Sequence, residues 1–128
     1  MQMNIQPDNN DDEEILTVHT EEQNGVPTVI AEGDVDLCTA PNLRQELVAV
    51  CSSVTGPTTV AVDMRKVFFI DSAGLALLVE MRKRFSNTCN LGLIVEKGSQ
   101  PERVLRLGRF DTFLRVTHSH EELSAASA

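Results

Sequence analysis

Residues 58–75 read TTVAVDMRKVFFIDSAGL, and this segment decides the fold because it joins strand-forming residues to the start of a helix. The β-branched run at 58–63 predicts a strand, and residues 67–70 are a second, short apolar run. Beyond the polar turn, apolar residues recur at helical spacing over residues 73–85. The segment therefore predicts a strand, a turn and a helix in immediate succession.

One face of the predicted helix is apolar and includes a glycine. Its members recur every three or four residues and are Gly74, Leu77, Leu78, Met81 and Phe85. A glycine inside a helix costs about 1 kcal/mol relative to alanine, so its place on this face indicates a close approach of the helix backbone to the sheet. Leu75 and Val79 lie off this face, beside Arg82. They indicate either a docking patch for a partner or a second buried edge against a neighbouring helix.

Ser72 stands where the turn meets the helix, and serine is a preferred N-cap residue. A helix N-terminus also offers free N–H groups and about half a positive charge, which favour a phosphate. A phosphoryl group on Ser72 is expected to accept hydrogen bonds from the N–H groups of Gly74 and Leu75. It would add about −1.5 to −2 charges beside Asp71. Ser72 is therefore the candidate site of a phosphorylation switch that repels a partner without refolding the chain.

Upstream, the sequence predicts a hairpin followed by a polar break. Residues 15–20 and 27–32 are strand-like, and a Gln-Asn-Gly turn signal at 23–25 separates them. Residues 33–36 are polar and are expected to end the second strand.

The remaining elements alternate between helix and strand. A helix is predicted from about Ala40, with Thr39 as its N-cap, and its buried face is expected to consist of Leu43, Leu47, Val50 and Cys51. Further along the chain the pattern predicts a strand at 91–95, a helix at 101–107, a strand at 113–116 and a C-terminal helix or fray at 119–126. This order predicts a mixed α/β sheet covered by helices.

Composition excludes several classes of function. The net charge of −8 argues against a nucleic-acid partner, because phosphates repel an acidic surface. The cysteines at 38, 51 and 89 are odd in number and lack a C-x-x-C spacing, so they predict buried thiols rather than disulfides or a metal site. No cofactor is expected, since no glycine-rich phosphate loop is present.

The chain is expected to be a single cytoplasmic domain. No apolar run is long enough to span a membrane, and the N-terminus lacks the basic and apolar regions of a signal peptide. The expected boundaries are a polar, acidic N-terminal tail at 1–12, a folded domain at 13–124 and a C-terminal fray at 125–128.

Three stretches resemble the signatures of a known family. Residues 62–75, VDMRKVFFIDSAGL, resemble the core signature of STAS domains, in particular of the bacterial anti-sigma factor antagonists, which carry Asp-Ser-x-Gly-Leu after a hydrophobic approach. Residues 33–41, GDVDLCTAP, resemble the second signature, in which Gly-Glu-hydrophobic-Asp precedes a Thr-Ala pair. Residues 105–110, LRLGRF, are similar to the late helix and turn. The resemblance covers roughly residues 13–123.

The resemblance implies the STAS fold, with a mixed sheet of four or five strands flanked by about four helices. It also implies partner switching. An anti-sigma factor, itself a serine kinase of the GHKL type, holds either a sigma factor or the antagonist. Unphosphorylated antagonist captures the kinase and releases the sigma factor, phosphorylation of the signature serine breaks that complex, and a serine phosphatase restores it.

By position, the resemblance makes Ser72 the phosphoacceptor. The residues expected to bind the partner are Asp36, Thr39, Asp71, Gly74, Leu75 and Val79. One residue departs from the family pattern: Asp34 stands where the second signature usually has a glutamate, and this shorter carboxylate is expected to affect partner choice. The acidic Asp34, Asp36 and Asp71 suit a basic groove on a kinase. The resemblance further implies a monomer.

Two other functions could use the same sequence features. A hydrolase with Ser72 as nucleophile is disfavoured because the segment lacks the first glycine of a nucleophile elbow, and no histidine is placed to complete a triad. The chain is therefore not expected to be an enzyme. The alternative that stays open is a STAS scaffold or accessory subunit of a stress-signalling complex or a transporter, because one fold serves several functions.

Overall fold

The computed structural model of the chain describes residues 15–127, within which five strands and four helices form one unit. The strands are β1 (Thr17–Gln23), β2 (Val26–Val35), β3 (Thr58–Ile70), β4 (Cys89–Ile94) and β5 (Arg115–Thr117). The helices are α1 (Ala40–Ser53), α2 (Ser72–Arg84), α3 (Gln100–Leu107) and α4 (His120–Ser127). A short 3-10 turn, Phe110–Thr112, precedes β5.

The strands of this described region lie in the order β1-β2-β3-β4-β5. β1 and β2 are antiparallel, and every other neighbouring pair is parallel. Parallel neighbours need crossover connections, and α1, α2 and α3 supply the three that this order requires. The predicted α/β class, with a mixed sheet and about four helices, is confirmed.

The N-terminal hairpin is confirmed, and its second strand is longer than predicted. Asn24 and Gly25 adopt positive φ angles of 54° and 75° at the turn, as hairpin turns require. β2 then continues to Val35, which is fully buried and pairs with Ile70. The predicted break at 33–36 is therefore wrong. Register shifts on both sides of Gly33 let the polar residues stay within the ladder.

β3 is one strand of 13 residues, not the two separate apolar runs that the sequence indicates. Val60 and Val62 are buried, as predicted, and polar residues in the middle of the strand interrupt the pattern without breaking the strand. The β3–β4 ladder ends at the pair Asp63 and Ile94. Beyond that pair the carboxyl half of β3 is hydrogen-bonded to β2 alone among the strands, and this half leads into Ser72.

Apolar side chains pack on both faces of the sheet. The larger cluster contains the predicted buried face of α1, three residues of α2 and one of α3. Its buried helical members are Leu43, Leu47, Val50, Cys51, Leu77, Leu78, Met81 and Leu105. On the other face, Leu123 of α4 packs against Ala61 and Ile94. The predicted inward faces of α1 and α2 are thus confirmed, except that Phe85 is only half-buried.

The cysteines divide into two buried thiols and one exposed thiol. Cys51 and Cys89 are buried in the larger cluster, as predicted, and both are free. Burial raises the pKa of the Cys51 thiol to about 12, which keeps it protonated near neutral pH. Cys38 is exposed in the β2–α1 loop, so the prediction of burial is wrong for this residue.

Glu102 anchors the first turn of α3 to the segment before α4. Its carboxylate accepts a hydrogen bond from the Gly98 N–H at 2.7 Å and also contacts the His118 ring and Arg106. Its side chain is only 12% exposed. The Gly98 bond, followed by that of His118, holds the pKa of Glu102 at about 2, below the ordinary value of 4.5.

The lowered pKa predicts a pH dependence of stability. A carboxylate whose folded-state pKa is depressed stabilises the protein fully above its unfolded-state pKa, and this contribution is lost as the pH falls towards the folded-state value. Glu102→Gln is therefore expected to lower the free energy of unfolding most above pH 4.5, and the difference from wild type should shrink between pH 4.5 and 2. Urea denaturation across this range measures it, with the exposed Glu22→Gln as control. A difference that does not vary with pH would contradict this account of Glu102.

None of the helices described is long and apolar enough to cross a membrane. The predicted N-terminal tail at 1–12 lies outside the described residues. The predicted domain boundaries accordingly stay predictions.

Candidate functional site

Asp71, and not Ser72, is the N-cap of α2. Its Oδ1 accepts hydrogen bonds from the backbone N–H groups of Ala73 at 2.9 Å and Gly74 at 3.1 Å. Its backbone carbonyl accepts the Leu75 N–H at 3.0 Å, and Ser72 is the first residue inside the helix. The prediction that Ser72 caps α2 is wrong because the carboxylate one residue earlier already reaches the free N–H groups.

The same contacts overturn the expected binding of a phosphate by this helix end. The N–H groups of Gly74 and Leu75, expected to hold it, already donate to Asp71. Ser72 itself is exposed, and its hydroxyl makes no hydrogen bond to another described residue. A phosphoryl group on the Ser72 Oγ would therefore stand at an exposed position whose nearby helix N–H groups already have acceptors.

The outer side of α2 is uncharged over its first two turns. No charged residue occurs in the helix before Glu80. Ser72, Ala76, Val79 and Lys83 recur at intervals of four, three and four residues and share the line farthest from the sheet. Solvated helix faces are usually polar or charged. The first two turns of α2 instead carry small, uncharged side chains on their outer side, and this surface suits contact with another molecule. Ser72 stands at its amino-terminal end.

Gly74 brings α2 close to the sheet, as predicted. A Cβ atom at this position would lie 2.6 Å from Ile70 Cγ1 and 2.8 Å from Val35 Cγ1. Both neighbours are buried core residues at the carboxyl ends of β3 and β2. The contact fixes the height of the first turn of α2 above the sheet, and with it the position of Ser72.

The β2–α1 loop is organised by Asp36 and Thr39. The Thr39 hydroxyl donates to the Asp34 carbonyl at 2.8 Å and accepts the Asp36 N–H at 2.9 Å. The Asp36 Oδ1 accepts the N–H groups of Cys38 and Thr39, each at 3.0 Å. Thr39 is the N-cap of α1 by position, but its side chain makes no capping bond, and only 9% of the residue is exposed. Its direct contact with a partner stays a prediction.

One hydrogen bond joins this loop to the start of α2. The Leu37 N–H donates to the Asp71 Oδ2 at 3.2 Å, so the two oxygens of Asp71 serve two different elements. The Leu37 side chain is 75% exposed beside this bond. The structure thus brings together the two signature segments, with Asp36 and Asp71 at the same end of the sheet and Leu37 between them.

A groove of about 830 Å³ runs along one side of α2. It is lined mainly by apolar and small side chains and has charged residues at its far end: Ser72, Leu75, Ala76, Val79, Glu80, Lys83, Arg84 and Phe110. Leu75 and Val79 are half-buried and pack on the core while they line this groove. Burial against the core thus accounts for part of each side chain, and a docking patch at this pair stays a prediction.

A second groove of about 350 Å³ separates α2 from α1. Leu37, Pro41 and Ala76 are among its lining residues. Its far end is closed by an ion pair between Arg44 of α1 and Glu80 of α2, whose closest atoms are 2.7 Å apart. The outer face of α2, the line of Ser72, Ala76, Val79 and Lys83, thus has an apolar groove on each side.

Leu37 and Phe110 line these grooves and were missed as candidate residues. Both occur within stretches that carry the family resemblance, so an apolar residue inside a signature was the signal available in the sequence. The structure leaves Leu37 exposed and Phe110 half-buried. Among the described residues, no group of three or more His, Cys, Asp or Glu side chains is placed to hold a metal ion.

Comparisons with known proteins agree with this architecture. The family described as "Mlab, STAS domain" matches residues 18–116. The anti-sigma-F factor antagonist RsfB of Mycobacterium tuberculosis is 29% identical over 110 residues, which cover 85% of this chain and 88% of RsfB. Both signature segments and all of α2 lie inside the matched family region.

Two solved structures share the fold. An anti-sigma factor antagonist from Mycobacterium paratuberculosis superposes with a TM-score of 0.77 at 23% identity, over 88% of this chain and 94% of that one. The murine anion transporter Slc26a9 superposes with a TM-score of 0.65 at 16% identity, over 90% of this chain and 22% of the transporter. With a family match that spans most of the domain and a sheet and helix order that agree with it, the chain belongs to the STAS domain family.

Proposed function

We propose that this protein is an anti-sigma factor antagonist controlled by phosphorylation of Ser72. In its unphosphorylated form it binds an anti-sigma factor that is also a serine kinase of the GHKL type, and it thereby releases a sigma factor. The kinase transfers the γ-phosphoryl group of ATP to the Ser72 Oγ, with loss of the hydroxyl proton and release of ADP. A serine phosphatase hydrolyses the phosphoserine and restores binding.

One observation carries the proposal: Ser72 has an exposed hydroxyl at the amino-terminal end of an uncharged, groove-flanked helix face. A hydroxyl that projects from a structured helix end is accessible to a kinase. Once modified, it places a dianion inside the surface that a partner would have to cover. The names of RsfB and of the Mycobacterium paratuberculosis structure support the class of partner.

The partner-binding surface of this proposal is the outer face of α2 with its two grooves. It includes the predicted Leu75 and Val79, and Leu37 and Phe110 extend it on either side. Asp36, Asp71 and Gly74 act beneath it, because their contacts set the loop and the first turn of the helix. Asp34 and Asp36 supply negative charge at the same end, which suits a basic groove on the kinase.

The test is phosphorylation by purified GHKL-type anti-sigma kinases from the organism that encodes the chain. Incubation with ATP is expected to add one phosphoryl group, and tandem mass spectrometry is expected to place it on Ser72. In a pull-down with this protein immobilised, recovery of a transporter ATPase instead of such a kinase would support the alternative function as an accessory subunit. Phosphate on another residue would contradict the proposal.

A further inference from the structure

The last residue of β3 lacks a neighbouring strand on one side, and a glutamine from α3 takes that place. The β3–β4 ladder stops seven residues earlier, at the pair Asp63 and Ile94. At Ile70, the Gln100 Oε1 accepts the backbone N–H at 2.9 Å, and the Gln100 Nε2 donates to the backbone carbonyl at 3.0 Å. The carboxamide thus supplies the donor and acceptor that a peptide group of an adjacent strand would provide.

The opposite side of the same segment is held by β2. The Asp71 N–H donates to the Val35 carbonyl at 3.1 Å. The Ile70 side chain is 1% exposed and lies against Gly74 of α2. The two residues that precede Ser72 are therefore fixed from both sides, by a strand on one and by the Gln100 side chain on the other.

Gln100 is itself held in place at the start of α3. The Ser99 Oγ accepts the Glu102 N–H at 3.3 Å and caps the helix. The Glu102 carboxylate in turn bonds to the Gly98 N–H and to the His118 ring. These contacts hold the backbone around Gln100 in place, and the two hydrogen bonds to Ile70 fix the position of its carboxamide.

We propose that Gln100 is a positioning residue for Ser72, an inference that rests on the proposed function. Its two hydrogen bonds keep Ile70 and Asp71 in the one arrangement that presents the Ser72 hydroxyl and the outer face of α2 together. Without them, only a fraction of molecules holds that arrangement. The apparent affinity for any partner that needs it then falls by that fraction. The anti-sigma factor is also the kinase, and it contacts the same arrangement when it phosphorylates the protein and when it binds the unphosphorylated form. The affinities in the two reactions should therefore fall by the same factor.

The test compares Gln100→Met with wild type. This substitution keeps the volume of the side chain and removes both hydrogen bonds. The matched control is Gln45→Met, at an exposed position of α1. With the cognate kinase, the KM for phosphorylation of Gln100→Met is expected to rise about tenfold, and the Kd of the unphosphorylated complex is expected to rise by the same factor. The kcat should stay near that of wild type. If Gln100→Met fails to fold, Gln100→Asn, which is one methylene too short to reach Ile70, takes its place.

All assays are run at a temperature at which circular dichroism shows every variant to be fully folded. A loss of stability without a change in KM or Kd would show a purely structural role and overturn the inference, while the proposed function would stand. A fall in kcat with constant KM would also overturn it. Failure of wild type itself to be phosphorylated on Ser72 or to bind the kinase would refute the proposed function, and the inference with it.

Discussion

Ser72→Glu is expected to weaken binding of the anti-sigma factor by at least about 100-fold, a loss of about 2.7 kcal/mol, whereas Ser72→Ala should bind like wild type. The glutamate places a negative charge at the amino-terminal end of the uncharged face of α2, one residue after Asp71. A charge that becomes covered without a partner typically costs several kcal/mol. Alanine removes only an exposed hydroxyl that makes no bond to another described residue.

The loss should come from the interface and not from unfolding. A negative charge in the first turn of a helix is compatible with the helix dipole, so Ser72→Glu should melt near the wild-type temperature. Ser86→Glu provides the matched control, because Ser86 is exposed just beyond the other end of α2, about 20 Å away along the helix. Isothermal titration calorimetry with the purified kinase measures all three variants. Equal affinities for Ser72→Glu and Ser72→Ala would refute a role for charge at this position.

The arrangement of Asp71 explains why such a switch needs no refolding. Because Asp71 already satisfies the N–H groups of Ala73 and Gly74, a phosphate on Ser72 finds no free N–H group on the next three residues. The modified side chain is left facing the partner instead of folding back onto its own helix. The added charge then affects the binding of a partner and leaves the fold unchanged, as a reversible regulator requires.

The fold was predictable from the sequence because it depends on local patterns. The helical spacing of Leu43, Leu47 and Val50 and the apolar stripe around Leu77 identified the inward faces of α1 and α2, and the structure confirms them. Gly74 was informative for the same reason: a residue unfavourable in a helix indicated a close contact, and that contact is present.

The errors arose where tertiary contacts override local preference. Residues 33–36 look like a break, but the first three of them, 33–35, remain in β2 because bulges accommodate them beside β3. Ser72 and Asp71 are both good capping residues, and only the geometry of the turn decides between them. The role of Gln100 could not be predicted from the sequence. It depends on where the β3–β4 ladder ends, because the Gln100 side chain bonds to a part of β3 that β4 does not reach.

Gly74→Ala is expected to lower the free energy of unfolding by about 1–2 kcal/mol, although alanine is the better helix former. On an open helix face this exchange would gain about 1 kcal/mol. Here the added Cβ atom meets Ile70 Cγ1 at 2.6 Å and Val35 Cγ1 at 2.8 Å. Both belong to buried β-branched side chains with little freedom to move, and such overpacking costs about 1–3 kcal/mol or more.

The opposite exchange on the same helix, Ala76→Gly, measures the contribution of helix propensity to the free energy of unfolding. Because Ala76 is exposed, this variant should lose about 1 kcal/mol through helix propensity alone. Chemical denaturation of both variants gives the comparison. To relieve the clash at Gly74, the first turn of α2 must move away from the sheet and carry Ser72 with it, so Gly74→Ala should also be a poorer substrate for the kinase under conditions in which it is fully folded. An unfolding free energy equal to or above that of wild type would mean that α2 does not need its close contact with Ile70 and Val35. The height of Ser72 above the sheet would then have to be set by the capping bonds of Asp71 instead of by the packing of the helix.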